Sequence, residues 1–104
     1  MADLGWSLTA EEDLRAIEDF IAKDSVLHAV HFVDRLIEAA EQLIHVPRIG
    51  RVVPEFNRDD VRELLFRAYR IVYQLRGETV TVLRVVHGAR DLTRLMHREP
   101  WILE

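Results

Sequence analysis

The 104-residue sequence contains no cysteine, which excludes a disulfide framework and any site built on a thiolate. It also lacks an apolar run near the roughly 20 residues that a membrane-spanning helix needs. Its N-terminus has neither a basic start nor a long apolar stretch, so we do not expect a signal peptide. These absences lead us to expect a cytoplasmic protein with no membrane partner. The length of 104 residues predicts a single domain over residues 1–104, because a second domain would lack enough chain to bury a core.

Several residue types that support particular chemistries are also scarce. The four glycines are scattered, so the sequence has no glycine-rich loop that could cradle a phosphate group. No serine is arranged as a nucleophile, and the aromatic residues are too few for a platform that stacks single-stranded bases. We therefore expect no cofactor.

Charge is distributed unevenly along the chain. Residues 1–47 contain ten acidic and three basic side chains, whereas residues 48–94 contain ten arginines and six acidic side chains. This asymmetry suggests a face for an anionic partner, either a nucleic acid or an acidic protein segment. An ordinary mixed surface is the alternative interpretation.

The first half of the sequence predicts one strand and two helices. The strand runs from Leu4 to Leu8, and Thr9 then begins a capping box for a helix that extends to about Lys23. Ser25 is a plausible cap for the second helix, which should end before Pro47. Its apolar stripe consists of Val26, Ala29, Val33, Leu36, Ile37, Ala40, Leu43 and Ile44.

The second half changes to the two-residue period of β-strands. Strands are predicted from Val61 to Phe66, from Tyr69 to Leu75 and from Thr79 to His87, with a turn at Arg76-Gly77. A short helix should follow from Leu92 to His97. The third of these strands is apolar on both faces, which predicts a central position. One face carries Val80, Val82 and Val86, and the other carries Leu83 and Val85.

This order of elements predicts an α+β fold. An N-terminal strand precedes an antiparallel helix hairpin, which packs on one face of a mainly antiparallel sheet whose last three strands form a meander, followed by the short C-terminal helix. We expect the opposite face of the sheet to carry Arg62, Arg70 and Arg84, or their neighbours.

Several segments resemble the ParE/RelE toxin superfamily in their order and spacing. They are Pro47–Arg51, Pro54-Glu55, Val61–Leu64, Tyr69–Tyr73, Val82–His87 and Arg90–Leu92, together with Trp6, Ala10 and the two helices. The resemblance implies a RelE/ParE-like fold, a role in a bacterial type II toxin–antitoxin operon, and a tight complex with a cognate antitoxin protein.

The resemblance leaves two targets open. ParE-like members poison DNA gyrase, whereas RelE-like members cleave messenger RNA on the ribosome. The segment from His87 to Leu92 looks more like the ParE side, and the nucleases usually present more lysines and a C-terminal tyrosine. Here Lys23 is the only lysine and no tyrosine follows Tyr73. We expect gyrase poisoning; the alternatives are ribosome-dependent RNA cleavage and a degenerate toxin that only binds an antitoxin.

If the protein is a ribonuclease, His87 is the candidate general base or acid. Arg70 and Arg84 would then hold phosphate groups. Two of these residues have a structural alternative: His87 could end its strand and bond its own turn, and Arg70 could pair with a carboxylate such as Glu63 or Glu55.

Four residues are candidates for binding a partner. Arg62 and Arg90 are expected to be exposed and to meet acidic groups or phosphates. Arg94 lies in the same basic half, and Trp101 belongs to an apolar tail that could pack against a partner.

A metal site is not expected. His28 and His31 lie three residues apart on the second helix, one turn after Asp24. No fourth ligand is evident, and histidines on an exposed helix face are usually solvated.

Overall fold

The computed structural model describes residues 1–90 and 92–93. Strand β1 is followed by two helices and then by four strands, which confirms the predicted α+β order. The elements are β1 (Asp3–Trp6), α1 (Leu8–Ala22), α2 (Val26–Glu41) with a 3₁₀ turn (Gln42–Ile44), β2 (Arg51–Val52), β3 (Val61–Phe66), β4 (Tyr69–Arg76) and β5 (Thr79–His87). The predicted helix from Leu92 to His97 lies largely outside the described residues.

Within the described residues, five strands form one sheet in the order β1-β5-β4-β3-β2. Strand β1 pairs with β5 in parallel, and the other pairs are antiparallel. Strand β5 therefore lies inside the sheet, as its apolar faces predicted. The two-residue strand β2 was not predicted, because the prolines and the glycine around it indicate a loop.

Helix α1 begins two residues earlier than expected. The hydroxyl oxygen of Ser7 accepts a hydrogen bond of 3.0 Å from the Ala10 amide and so caps the helix, instead of Thr9. The same hydroxyl donates to the Leu83 carbonyl at 2.8 Å, which ends β1 at Trp6 and ties the helix start to β5. The predicted cap at Ser25 is confirmed by a 3.1 Å bond from the His28 amide.

The main core lies between the helix hairpin and one face of the sheet, as predicted. Its fully buried side chains come from α1, from α2 and the turn that follows it, and from β4 and β5, and include Ala10, Leu36, Ala40, Leu43, Ile71, Tyr73, Val80 and Val82. Val26 was assigned to the same stripe, but it is 69% exposed because it occupies the first turn of α2, beside the interhelical connection.

A tyrosine of this core anchors the loop that leads into β2. The Gly50 amide donates a 3.0 Å hydrogen bond to the Tyr73 hydroxyl oxygen, and burial raises the pKa of that phenol. A Cβ atom at Gly50 would lie 2.5 Å from both this oxygen and the Glu63 carbonyl oxygen. Only glycine fits this close approach, which places Arg51 beside β3.

A β-bulge in β5 changes which side chains face the helices. The register pairs Val72 with Arg84 and Tyr73 with Val82, so Leu83 is an extra residue. An extra residue reverses the alternation beyond it. The prediction that Val86 shares a face with Val80 and Val82 is therefore wrong.

The face opposite the helices has a smaller apolar cluster of its own. It consists of Val53, Val61, Val72, Val86 and Leu92, with Phe56 packed against it. Buried polar side chains, including Glu63, Arg70 and Gln74, lie among the strands that bear this cluster. Within the described part of the chain, no helix is both long and apolar enough to cross a membrane.

Candidate functional site

An open cleft with a volume of about 620 Å³ lies where the β3–β4 turn meets the end of β5. A hydrogen bond of 2.6 Å from the Gly88 amide to the Ala68 carbonyl joins the two segments. The polar and aromatic residues that line the cleft are Arg51, Glu55, Arg67, Tyr69, Arg70 and His87. The structure thus brings His87 and Arg70, two predicted site residues, to one surface.

Arg70 is the most buried cation of the cleft, with a side chain that is 8% exposed. Its two terminal nitrogens donate to the two carboxylate oxygens of Glu55 at 2.9 and 2.8 Å. Its Nε donates to Glu63 at 2.6 Å. The expectation that Arg70 pairs with Glu63 or Glu55 is confirmed for both residues.

Glu63 extends this arrangement to Arg51. Its side chain is fully buried, and its second oxygen accepts a 2.6 Å bond from Arg51 Nε. We call Arg51, Glu55, Glu63 and Arg70 the ion network. Hydrogen bonding to Arg70 lowers the pKa of Glu55, and the same contact raises the pKa of Arg70. The network therefore holds two positive and two negative charges in direct contact.

Arg84 does not join Arg70 and His87. Its Nε donates to Asp13 of α1 at 2.9 Å, and the same carboxylate oxygen accepts a 2.9 Å bond from the Val85 amide. Since β1 pairs with β5 only as far as Val82, Asp13 covers part of the strand edge that β1 leaves open. Arg84 thus contributes to attaching α1 to the sheet.

His87 lies exposed at the end of β5, with its ring centroid 5.7 Å from that of Tyr69. Its Nδ1 accepts a 3.2 Å hydrogen bond from the Ala89 amide. The interpretation of His87 as a strand terminator that bonds its own turn is confirmed.

Arg67 is a residue of the cleft that the sequence analysis missed. It occupies the β3–β4 turn with a φ of 52°, and its guanidinium lies over the rings of Phe32 and Phe66 at 5.8 and 5.6 Å. The gap between the predicted strands ending at Phe66 and beginning at Tyr69 is the sequence signal that could have placed Arg67 at a hairpin tip.

Arg62 is placed differently from the prediction. The alternation of β3 sets it opposite Tyr73, on the helix side of the sheet, and its side chain is only 13% exposed. It donates to Asp59 at 2.7 Å and to the Gly50 carbonyl at 2.9 Å. Arg62 is therefore not the exposed residue that we expected, whereas Arg90 is exposed.

Two further candidates, Arg94 and Trp101, lie outside the described residues. Among the residues that the structure does describe, no three histidine or acidic side chains are placed to hold a metal ion. Asp24, His28 and His31 therefore do not assemble into such a group.

Comparisons with known proteins agree with this architecture. Residues 4–92 match the family described as the ParE toxin of the type II toxin–antitoxin system parDE. The chain is also 34% identical to Toxin RelE2 of Caulobacter vibrioides over 90 residues, which are 86% of this chain and 99% of that protein.

Two solved structures are similar in fold. The chromosomal ParDE toxin–antitoxin system from P. aeruginosa gives a TM-score of 0.71 at 27% identity, over 84% of this chain and 96% of that one. A mutant of the E. coli toxin RelE in complex with a RelB antitoxin peptide gives 0.60 at 19% identity, over 98% of each chain. The chain belongs to the ParE toxin family and is the toxin of a type II toxin–antitoxin system, with an antitoxin as its partner.

Proposed function

We propose that this toxin stops growth by binding and poisoning DNA gyrase, and that it does not cleave RNA. The observation that carries the proposal is the ion network, in which Glu55 and Glu63 occupy the guanidinium of Arg70. Cleavage through the 2′-hydroxyl requires cations that can stabilise a developing phosphorane. An arginine that already bonds two carboxylates is poorly suited to that role.

The acid–base groups of the cleft support the same conclusion. His87 uses Nδ1 to accept from its own turn, and no carboxylate of the described residues forms a bond that orients the ring. Among the described residues that line the cleft, Tyr69 is the remaining side chain with a proton to transfer to a leaving oxygen. Its ring packs against Phe32 and against the helix-side core. The described residues of the cleft therefore do not assemble a base and an acid on opposite sides of a phosphate.

The decisive experiment combines purified toxin with DNA gyrase, ATP and a supercoiled plasmid. A gyrase poison should accumulate linear plasmid after detergent and protease treatment, in proportion to the toxin added. His87→Ala should trap cleaved DNA as well as the wild type does, because the proposal gives His87 no chemical step. Unchanged supercoiling with no linear DNA at saturating toxin would contradict the proposal.

RNA cleavage on the ribosome is the second candidate. It is favoured by one observation, that His87 and Arg70 line the same cleft. Primer extension on a translated messenger RNA tests it, with the wild type and His87→Ala compared at equal concentration. New cleavage sites that disappear in the variant would support this candidate, and an absence of cleavage with the wild type would exclude it.

For the antitoxin, we propose a partly acidic C-terminal region that is disordered when free and folds on the toxin. The excess of arginines over acidic side chains in residues 48–94 supports this proposal, because a basic surface is complementary to an acidic segment. Co-purification with the product of the neighbouring small open reading frame tests it, and a complex that survives removal of that product's C-terminal region would contradict it.

A further inference from the structure

Arg67 has a backbone conformation that its residue type seldom adopts. Its φ of 52° lies in the left-handed region, where glycine is favoured and a long side chain is uncommon. The hairpin between Phe66 and Tyr69 has only two connecting residues, so a glycine would suit this position better than an arginine. Residues held in such sparsely populated regions cluster at functional sites.

The side chain of Arg67 is held in place at the mouth of the cleft. The guanidinium lies over two rings, one from α2 and one from β3, at 5.8 Å for Phe32 and 5.6 Å for Phe66. Contacts with aromatic rings satisfy none of the N–H donors of a guanidinium, so these donors can still bond an acceptor. Arg67 is thus a positioned donor on an exposed turn.

Arg67 also differs from the other cations of the cleft in its charge environment. Arg51 and Arg70 bond the carboxylates of the ion network, whereas Arg67 forms no ion pair with any described residue. The described neighbours of its guanidinium are the two aromatic rings, and Leu65, which is 61% exposed, lines the same cleft. Among the described residues that line the cleft, Arg67 is therefore the one arginine without an ion pair.

We propose that Arg67 is a contact residue that binds a carboxylate on the protein target of the toxin. Protein interfaces are enriched in arginine and aromatic side chains, and truncation of such an arginine often removes much of the affinity. Phosphate binding uses several such cations together, because each neutralised phosphate requires one. The inference rests on the proposed function in one respect, namely that the target is the protein gyrase.

The test compares two glycine substitutions at left-handed positions. Arg67→Gly relieves the backbone and removes the guanidinium, whereas Asn57→Gly relieves a similar φ of 51° at a residue outside the cleft. We expect both variants to melt within about 4 °C of the wild type. Arg67→Gly should trap gyrase-cleaved DNA only at a concentration at least about tenfold higher than that of the wild type, and Asn57→Gly should match the wild type.

A second variant and a second ligand test whether Arg67 binds a carboxylate or a phosphate. Arg67→Lys keeps the charge but loses the planar fork, so it should fall between the wild type and Arg67→Gly in gyrase trapping. A fluorescent DNA duplex without gyrase should bind the wild type and Arg67→Gly equally weakly. A loss of DNA affinity in Arg67→Gly would assign the contact to a phosphate and overturn the proposal.

Two other outcomes would also overturn it. Arg67→Gly could trap cleaved DNA as well as Asn57→Gly does, or it could melt far below Asn57→Gly, which would make Arg67 a structural residue. If wild-type toxin does not trap gyrase at all, the proposed function fails by itself. Growth arrest on expression then compares the same two variants, and equal arrest would reject a contact role for Arg67 at any target.

Discussion

The two faces of the sheet are buried by different means. Against the helices, Leu36, Leu43 and Ile71 fill a core that is almost entirely apolar. On the opposite face, small valines surround charged side chains, and Glu63 is as completely buried as any leucine of the main core. The same strands thus carry an apolar core on one side and an ion network on the other.

The two faces therefore have different roles: one mainly stabilises the fold, and the other mainly positions the residues of the site. Apolar burial contributes in proportion to the area removed from water. A buried ion pair recovers little more than the cost of its own desolvation, so it is weak evidence for stability. We infer that the helix side supplies most of the folding free energy. The ion network contributes mainly by fixing Arg51, Glu55 and Arg70 at the cleft.

The largest effect should come from truncating the helix-side core. Leu36 is fully buried, so Leu36→Ala removes apolar contacts and leaves a cavity, and we expect a loss of about 3 to 4 kcal/mol in unfolding free energy. Leu27→Ala is the matched control in the same helix. Leu27 is 67% exposed, so this change should cost less than about 0.5 kcal/mol. Urea denaturation measures both, and equal losses would contradict the assignment of the core.

A smaller loss is expected from breaking the ion network. Arg70→Met leaves the buried carboxylate of Glu63 with Arg51 alone, which should cost about 3 kcal/mol. The double variant Arg70→Met with Glu63→Met should recover at least half of that loss, since it no longer buries an inadequately paired charge. A double variant as unstable as Arg70→Met would mean that the network itself stabilises the fold, and the distinction between the two faces would fail.

Sequence periodicity was sufficient to predict most of the fold. Two-residue alternation gave β3 and β5 with the bounds that the structure shows, and it placed Arg70 and Glu63 where they could pair. It failed where the alternation is interrupted. The bulge at Leu83 moves Val86 to the other face, and no local pattern marks such an insertion.

The site was less accessible to sequence analysis because it depends on contacts between distant segments. Glu55 contacts Arg70 from the loop that follows β2, and β2 has only two residues. Arg67 becomes notable only through its φ and its contact with Phe32 of α2. Arg84 looked equivalent to Arg70 in sequence, but Asp13 binds it from a helix 71 residues away.

The smallest predicted effect is a change in the pH dependence of stability, which tests the charged face of the sheet without truncating a side chain. The bond to Arg70 lowers the pKa of Glu55 below its ordinary value near 4.5 in the folded protein. A carboxylate of lowered pKa contributes stability that is complete above its unfolded pKa and is lost as the pH falls through its folded pKa. The unfolding free energy of the wild type should therefore decrease below about pH 4.5, and Glu55→Gln should decrease less steeply.

Part of the acid dependence should remain in this variant, because the pKa values of Asp59 and Asp60 are lowered as well. The principal causes are a hydrogen bond from Arg48 to Asp59 and one from Gln74 to Asp60. Urea denaturation of the wild type and of Glu55→Gln between pH 7 and pH 3 measures the difference. If the two proteins lose stability equally over the acid range, the contact between Glu55 and Arg70 contributes nothing that depends on charge.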